Sequence, residues 1–182
     1  VLNTFDEDGV LDGQAVELTT TAQATYNAEH LFGFDLNGDG VQGRNIQEID
    51  EHGYATENDL AIFEGTSNNT TLLQDVNTGE LLTAPADDPS NQDELKLSDG
   101  SSFLLSDSQT AIAAEKTFNG DVHLLSYQEA ATNPKKSKGR EGFVLNTFDE
   151  DGVLDGQAVE LTTTAQATYN AEHLFGFDLN GD

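Results

Sequence analysis

The sequence predicts an α+β fold: a mostly antiparallel β-sheet or sandwich with one helix leading into an Asp/Asn-rich loop, the whole repeated in tandem. Three observations predict it. Residues 1–39 and 144–182 are identical at every position, an offset of 143 residues. Between the copies run short apolar segments separated by turn residues, the pattern of antiparallel strands. A helix-like stretch, TTTAQATYNAEHLFG, runs directly into DLNGDG, where alternate residues carry side-chain oxygens.

The repeat sets the expected organisation. Divergent duplication does not leave 39 positions untouched, so the chain reads as a window on a tandem array. A 143-residue period is domain-sized and too long for one turn of a solenoid. Residues 1–143 are expected to form one unit: a helix at about 20–33, an acidic loop at 35–46, a β-rich stretch at 46–130 and a basic loop at 133–142. Residues 144–182 then begin the next unit. A second arrangement uses the same residues differently: 144–182 complete the sheet begun by 41–143, and 1–39 serve a preceding unit.

Taken in order, VLNTFDEDGVLDGQAVEL reads as a β-hairpin and a further short strand, with Asp8-Gly9 as the tight-turn dipeptide. Thr20 and Gln23 make a capping box for the helix that follows. Ala24, Ala28 and Leu31 share one face of it, and Gly33 supplies the stop. After the loop, NIQEID, LAIFEG, TTLLQD, GELLT, DELKLS, SSFLLS, TAIAAEK and DVHLLSY are strand candidates. PADDPSNQD (85–93) is a surface loop. NPKKSKGREG holds Lys135, Lys136, Lys138 and Arg140, four of the seven basic residues.

Charge excludes some partners. Thirty-four acidic residues face seven basic ones, a net charge of −27. That sign is wrong for nucleic acid or an anionic membrane and suits high ionic strength or divalent cations. No apolar run reaches membrane-span length, so no membrane insertion is expected. Cysteine, methionine and tryptophan are absent.

The loop DLNGDGVQG places Asp35, Asn37 and Asp39 at positions 1, 3 and 5 of the Asp-x-Asn-x-Asp-Gly pattern. Gly40 allows the bend at position 6, and Val41 offers a carbonyl at position 7. Calcium takes such hard oxygen donors, and the preceding helix matches half of an EF-hand or a dockerin-like loop. Position 12, usually Glu, is Ile46, so Asp50 or Glu48 would have to close the site, and NIQEID suggests that the loop exits into a strand. In the second copy the same positions are Asp178, Asn180 and Asp182. The alternative is a polar turn that holds no metal. Asp6, Asp8 and Asp12 have looser ligand spacing, and the Asp-Gly hairpin accounts for them. Asn68 and Asn69 each fit a glycosylation sequon.

Enzyme signatures are missing: no Cys nucleophile, no Gly-x-Ser-x-Gly elbow, no phosphate-cradling loop and no paired His ligands. An enzyme is not expected. The pieces EHLFGFDLNGDGVQG (29–43), TTLLQDVNTGELL (70–82), DELKLSDGSSF (93–103), AAEKTFNGDVHLLSY (113–127) and FVLNTFDEDGVL (143–154) resemble, in that order, tandem repeats of large secreted surface proteins of cyanobacteria and other aquatic bacteria. Among such repeats they are similar to the tryptophan-rich C-terminal repeat family. This chain lacks Trp, and Leu125, Tyr127 and Leu145 are expected in those strand positions. The resemblance implies a secreted, calcium-binding, array-forming surface module. The expected function is an extracellular, calcium-stabilised structural repeat of a filament or adhesin. Its partners would be neighbouring copies of itself, joined covalently or by strand donation. The alternative is a multivalent carbohydrate-binding module, which would need exposed aromatics.

Overall fold

The computed structural model describes residues 1–19, 23–49, 69–129, 142–162 and 165–180. The chain divides into two compact units, one of residues 1–46 with 75–78, the other of 47–74 with 79–182. This division does not follow the 143-residue period, because the second copy of the repeat lies wholly inside the larger unit.

In chain order the elements are α1 (Gln23–Phe32), β1 (Ile46–Glu48), β2 (Thr70–Asp75), β3 (Leu81–Pro85), β4 (Asp93–Glu94), β5 (Gln109–Lys116), β6 (Val122–Gln128), β7 (Gly142–Phe148), β8 (Val159–Leu161) and α2 (Gln166–Phe175). They form two four-stranded sheets, ordered β1-β2-β3-β4 and β5-β6-β7-β8. The described strand pairs are antiparallel. The antiparallel β-rich class read from the sequence is therefore observed, with two described helices, one in each copy of the repeat.

The larger unit is layered around two cores. Leu72, Leu81 and Leu95 meet Ala114, Leu124 and Phe148 between the sheets. Phe103 closes on Phe148 edge-to-face, with ring centroids 5.1 Å apart. On the opposite face of the second sheet, Ile112, Ala113 and Leu125 pack with Ala171, Phe175 and Phe177, from and just beyond α2. This explains why HLLSY in β6 is not a clean alternation. Leu124 and Leu125 are adjacent, so they point to opposite faces and each enters a different core. A register shift between Ala111 and Ala113 in β5 lets Ile112 and Ala113 both serve the helix-facing core.

Several expectations are revised. The helix expected at about 20–33 is described over Gln23–Phe32. Thr20 lies outside the described residues. In α2 the N-cap is Ala165, without a side-chain cap bond. A hydroxyl inside the first turn ties the helix to the preceding chain: Thr25 Oγ1 donates to the Thr19 carbonyl at 2.5 Å, and Thr168 Oγ1 donates to the Thr162 carbonyl at 2.5 Å. Gly33 and Gly176 end the two helices, as expected, at φ +69° and +72°. DELKLS contributes only the two-residue β4 and isolated pairings at Lys96, and SSFLLS only one at Ser102. The LAIFEG strand and most of the basic loop lie outside the described residues.

Candidate functional site

Two features are candidates for function: the loop after α1, and the two settings adopted by the repeated segment. The loop is organised by its own backbone. Asp35 accepts from Gly38 N at 2.6 Å and Gly40 N at 2.9 Å. Asn37 Oδ1 accepts from Asp39 N at 3.0 Å, and Asp39 Oδ1 from Val41 N at 2.8 Å. The other Asp39 oxygen receives the amides of Asn37 at 3.1 Å and Asn77 at 2.5 Å. The Val41 N–H, with the two amides, holds the Asp39 carboxyl below its ordinary value against slight desolvation. Gly40, at φ +89°, makes the bend.

The residue that anchors this loop was not singled out from the sequence. Glu29 is fully buried on α1, and its carboxylate accepts from Leu36 N and Asn37 N at 2.9 Å each and Gly43 N at 3.0 Å. The second copy repeats the latch: Glu172 accepts from Leu179 N at 2.9 Å and Asn180 N at 3.0 Å. Counting the N–H groups that a polar loop must satisfy would have called for such an acceptor. Behind the loop, the buried Asp75 caps Asn77 N at 2.9 Å and lies 3.6 Å from Arg44 Nε. The Arg44 guanidinium sits over the Tyr26 ring, 5.8 Å from its centroid.

Asp35, Asn37, Asp39 and Val41 are thus held in one tight loop. Glu48 is an exposed residue of β1, the strand into which the loop exits. Asp50 and Asp182 lie outside the described residues, as does Asn68. Asn69 is exposed at the start of β2 and accepts the Thr70 hydroxyl at 2.9 Å. Asp178 and Asn180 follow α2. Among the described residues no three His, Asp or Glu side chains gather as a metal-binding group. The donor set suits a hard cation in kind, with two carboxylates and an amide oxygen, and a full shell would need further oxygens. Asp6 makes a plain turn, accepting from Asp8 N at 3.0 Å and Val10 N at 2.8 Å.

The second feature is the contrast between the two copies. Their local structure matches. Leu2–Val16 and Phe5–Leu11 pair in the first copy, Leu145–Val159 and Phe148–Leu154 in the second. Asp149 caps Asp151 N and Val153 N as Asp6 caps Asp8 N and Val10 N. The surroundings differ. Val144, Phe148, Phe175 and Phe177 are 8%, 0%, 2% and 2% exposed; their counterparts Val1, Phe5, Phe32 and Phe34 are 79%, 59%, 53% and 66% exposed. The helix stripe read as Ala24, Ala28 and Leu31 is used in full in the second copy, where Ala167, Ala171 and Leu174 pack on the core, while in the first copy Ala28 is buried as well. In the first copy Leu31 is exposed. Tyrosine reverses the sense: Tyr26 is 2% exposed and Tyr169 42%. One helix sequence therefore buries a tyrosine face in one setting and a phenylalanine face in the other.

A polar row runs across the second sheet on its helix-covered face. Glu115, His123 and Thr147 stand opposite one another on β5, β6 and β7. His123 Nδ1 and the Thr147 hydroxyl are 3.1 Å apart. Burial lowers the His123 pKa, opposed by the charge of Asp121.

No protein-family model matches the chain, and no curated protein or solved structure does. Among the described residues no helix is long and apolar enough to cross a membrane.

Proposed function

We propose that this chain is a structural repeat of an extracellular head-to-tail array. The first 39 residues of each period complete the sheet of the period before it, and calcium at the DLNGDG loop stiffens the junction. One observation carries the reading: the same sequence buries its tyrosine face in one copy and its phenylalanine face in the other. In an array both faces of a single helix are used. One carries the Arg44 guanidinium over Tyr26, the other packs on the β5–β6 surface of the preceding repeat.

Magnitudes support the reading. Burying a large apolar side chain is worth about 1.5–3 kcal/mol, so the four counterparts of Val1, Phe5, Phe32 and Phe34 contribute roughly 6–12 kcal/mol where they dock. That is on the order of the whole stability of a small domain, about 5–15 kcal/mol. A segment able to supply it is a strong joint. Of the exposed aromatics that a carbohydrate-binding reading would need, Phe5, Phe32, Phe34 and Tyr169 each have a buried counterpart in the other copy, and Phe118 lies outside the repeated segment. That favours docking over sugar stacking.

Calcium is supported by the loop pattern, the buried glutamate that shapes it, and the strong negative charge of the chain. Electron microscopy of the native material, with and without a chelator, tests the proposal. Fibres with an axial repeat of one period that soften or disperse in chelator are expected. Dispersed particles in both conditions would overturn the array. Fibres and a melting temperature unchanged by chelation would remove calcium from it.

A further inference from the structure

We infer that residues 1–34 of one chain dock on a second copy of this chain, taking the place on its β5–β6 surface that its own residues 144–177 fill. The inference rests on the array reading and names the partner: a separate molecule of the same sequence suffices. Complementarity follows from identity, because every side chain that β6 and the helix-facing core receive from 144–177 is present at the matching position in 1–34.

The docking segment is already shaped. Its turn bonds, its self-pairings at Leu2–Val16 and Phe5–Leu11, its Thr25 hydroxyl bond and its glutamate latch reproduce those of the docked copy. Little ordering is left to oppose binding. The edge is also open. Along β7 the second copy pairs with β6 from Val144–Ser126 to Phe148–Val122, while Gly142 and Phe143, opposite Gln128 and Tyr127, precede the repeated segment. Among the described residues, the strand-type pairings of residues 1–16 are all within that segment. An unpaired edge flanked by exposed Val1 and Phe5 is a template for another chain.

Two identical ligands then compete for one surface. The chain's own copy is tethered and has the advantage of effective concentration, so the native chain is expected to be a monomer. Handicapping the tethered copy hands the surface to the first copy of a neighbour. Each chain then carries one donor and one acceptor, and head-to-tail association leaves both ends able to grow.

The test uses the full chain in three forms, with light scattering across a wide concentration range and circular dichroism. Phe148→Asp with Phe175→Asp disables the second copy. Growing mass with concentration and retained β-sheet signal are expected. Phe5→Asp with Phe32→Asp disables the first copy and should leave a monomer. All four substitutions together should abolish growth. A second-copy variant that stays monomeric overturns the inference, as does one whose growth survives all four substitutions, which is unspecific aggregation. Register gives a further check, because His123 faces Thr147, the counterpart of Thr4, and the chain has no native cysteine. Thr4→Cys with His123→Cys, added to the second-copy variant, should give an interchain disulfide ladder on oxidation; its absence overturns the register. These readouts need no calcium. Chelator-sensitive native fibres beside a monomeric second-copy variant would reject exchange between separate chains and leave the covalent array standing.

Discussion

Phe32 and Phe175 are the last residues of two ten-residue helices with the same sequence, and Phe32 is exposed while Phe175 is buried against the β5–β6 surface. Everything local is shared: the helix length, the left-handed glycine that follows, and the bond from that glycine to the glutamate carbonyl, Gly33 N to Glu29 O and Gly176 N to Glu172 O, at 2.8 Å each. Local sequence decides the conformation of the segment, and tertiary surroundings decide what it buries.

The pair is its own control. Phe175→Ala removes a buried ring and is expected to lower stability by about 3–5 kcal/mol, while Phe32→Ala on the exposed copy should change it by no more than about 0.5 kcal/mol. Denaturant unfolding followed by circular dichroism measures both. Equal losses would mean that the two helices share one environment in solution.

A second pair separates backbone strain from packing. Gly9 and Gly152 hold the same turn position at φ +75° and +76°. A Cβ at Gly9 meets nothing within 4 Å, whereas one at Gly152 would lie 2.8 Å from the Glu94 carbonyl oxygen. Both Ala variants carry the left-handed penalty of about 1–2 kcal/mol. Gly152→Ala should lose about 1–3 kcal/mol more, the range for overpacking. Indistinguishable unfolding midpoints for the two variants would place Gly152 away from β4.

How much was legible follows from the same division. Turns, the helix stop and the antiparallel β-rich class rest on short-range chemistry, and Asp8-Gly9, Gly33 and the alternating strands announced them. DELKLS and SSFLLS have strand composition, yet only Asp93 and Glu94 enter a strand, with isolated pairings at Lys96 and Ser102. Glu29 was invisible because its role depends on where the loop folds back, seven residues and more downstream. The choice between the two unit boundaries needs the β6–β7 pairing, a long-range fact that an exact repeat leaves open.

Glu29 should hold the loop whether or not an ion is bound. Glu29→Gln keeps the shape but leaves one oxygen acceptor where two served three N–H groups, and each unpaired buried donor costs about 1–3 kcal/mol. Amide exchange measured by NMR should quicken at Leu36, Asn37 and Gly43. Glu172→Gln should do the same at Leu179 and Asn180. Unchanged exchange at all five amides would show that the carboxylates are not the latch.

Acid should act in two windows. The His123 pKa is lowered from 6.5, first by burial on β6 and against the opposing charge of Asp121. The unfolded chain therefore takes up this proton before the folded one does. Its contribution to stability is complete above about pH 6.5, declines as the pH falls below that value towards the lower folded pKa, and does not decline further below it. The lowered carboxyls of Asp39 and Asp99, each from 3.8, act in the same sense but only below that value. Unfolding free energy measured against pH should fall as the pH drops below about 6.5 in the native chain, and His123→Gln should flatten that limb while leaving the more acidic one in place. Superimposable curves for the two proteins would show that His123 does not gain a proton on unfolding.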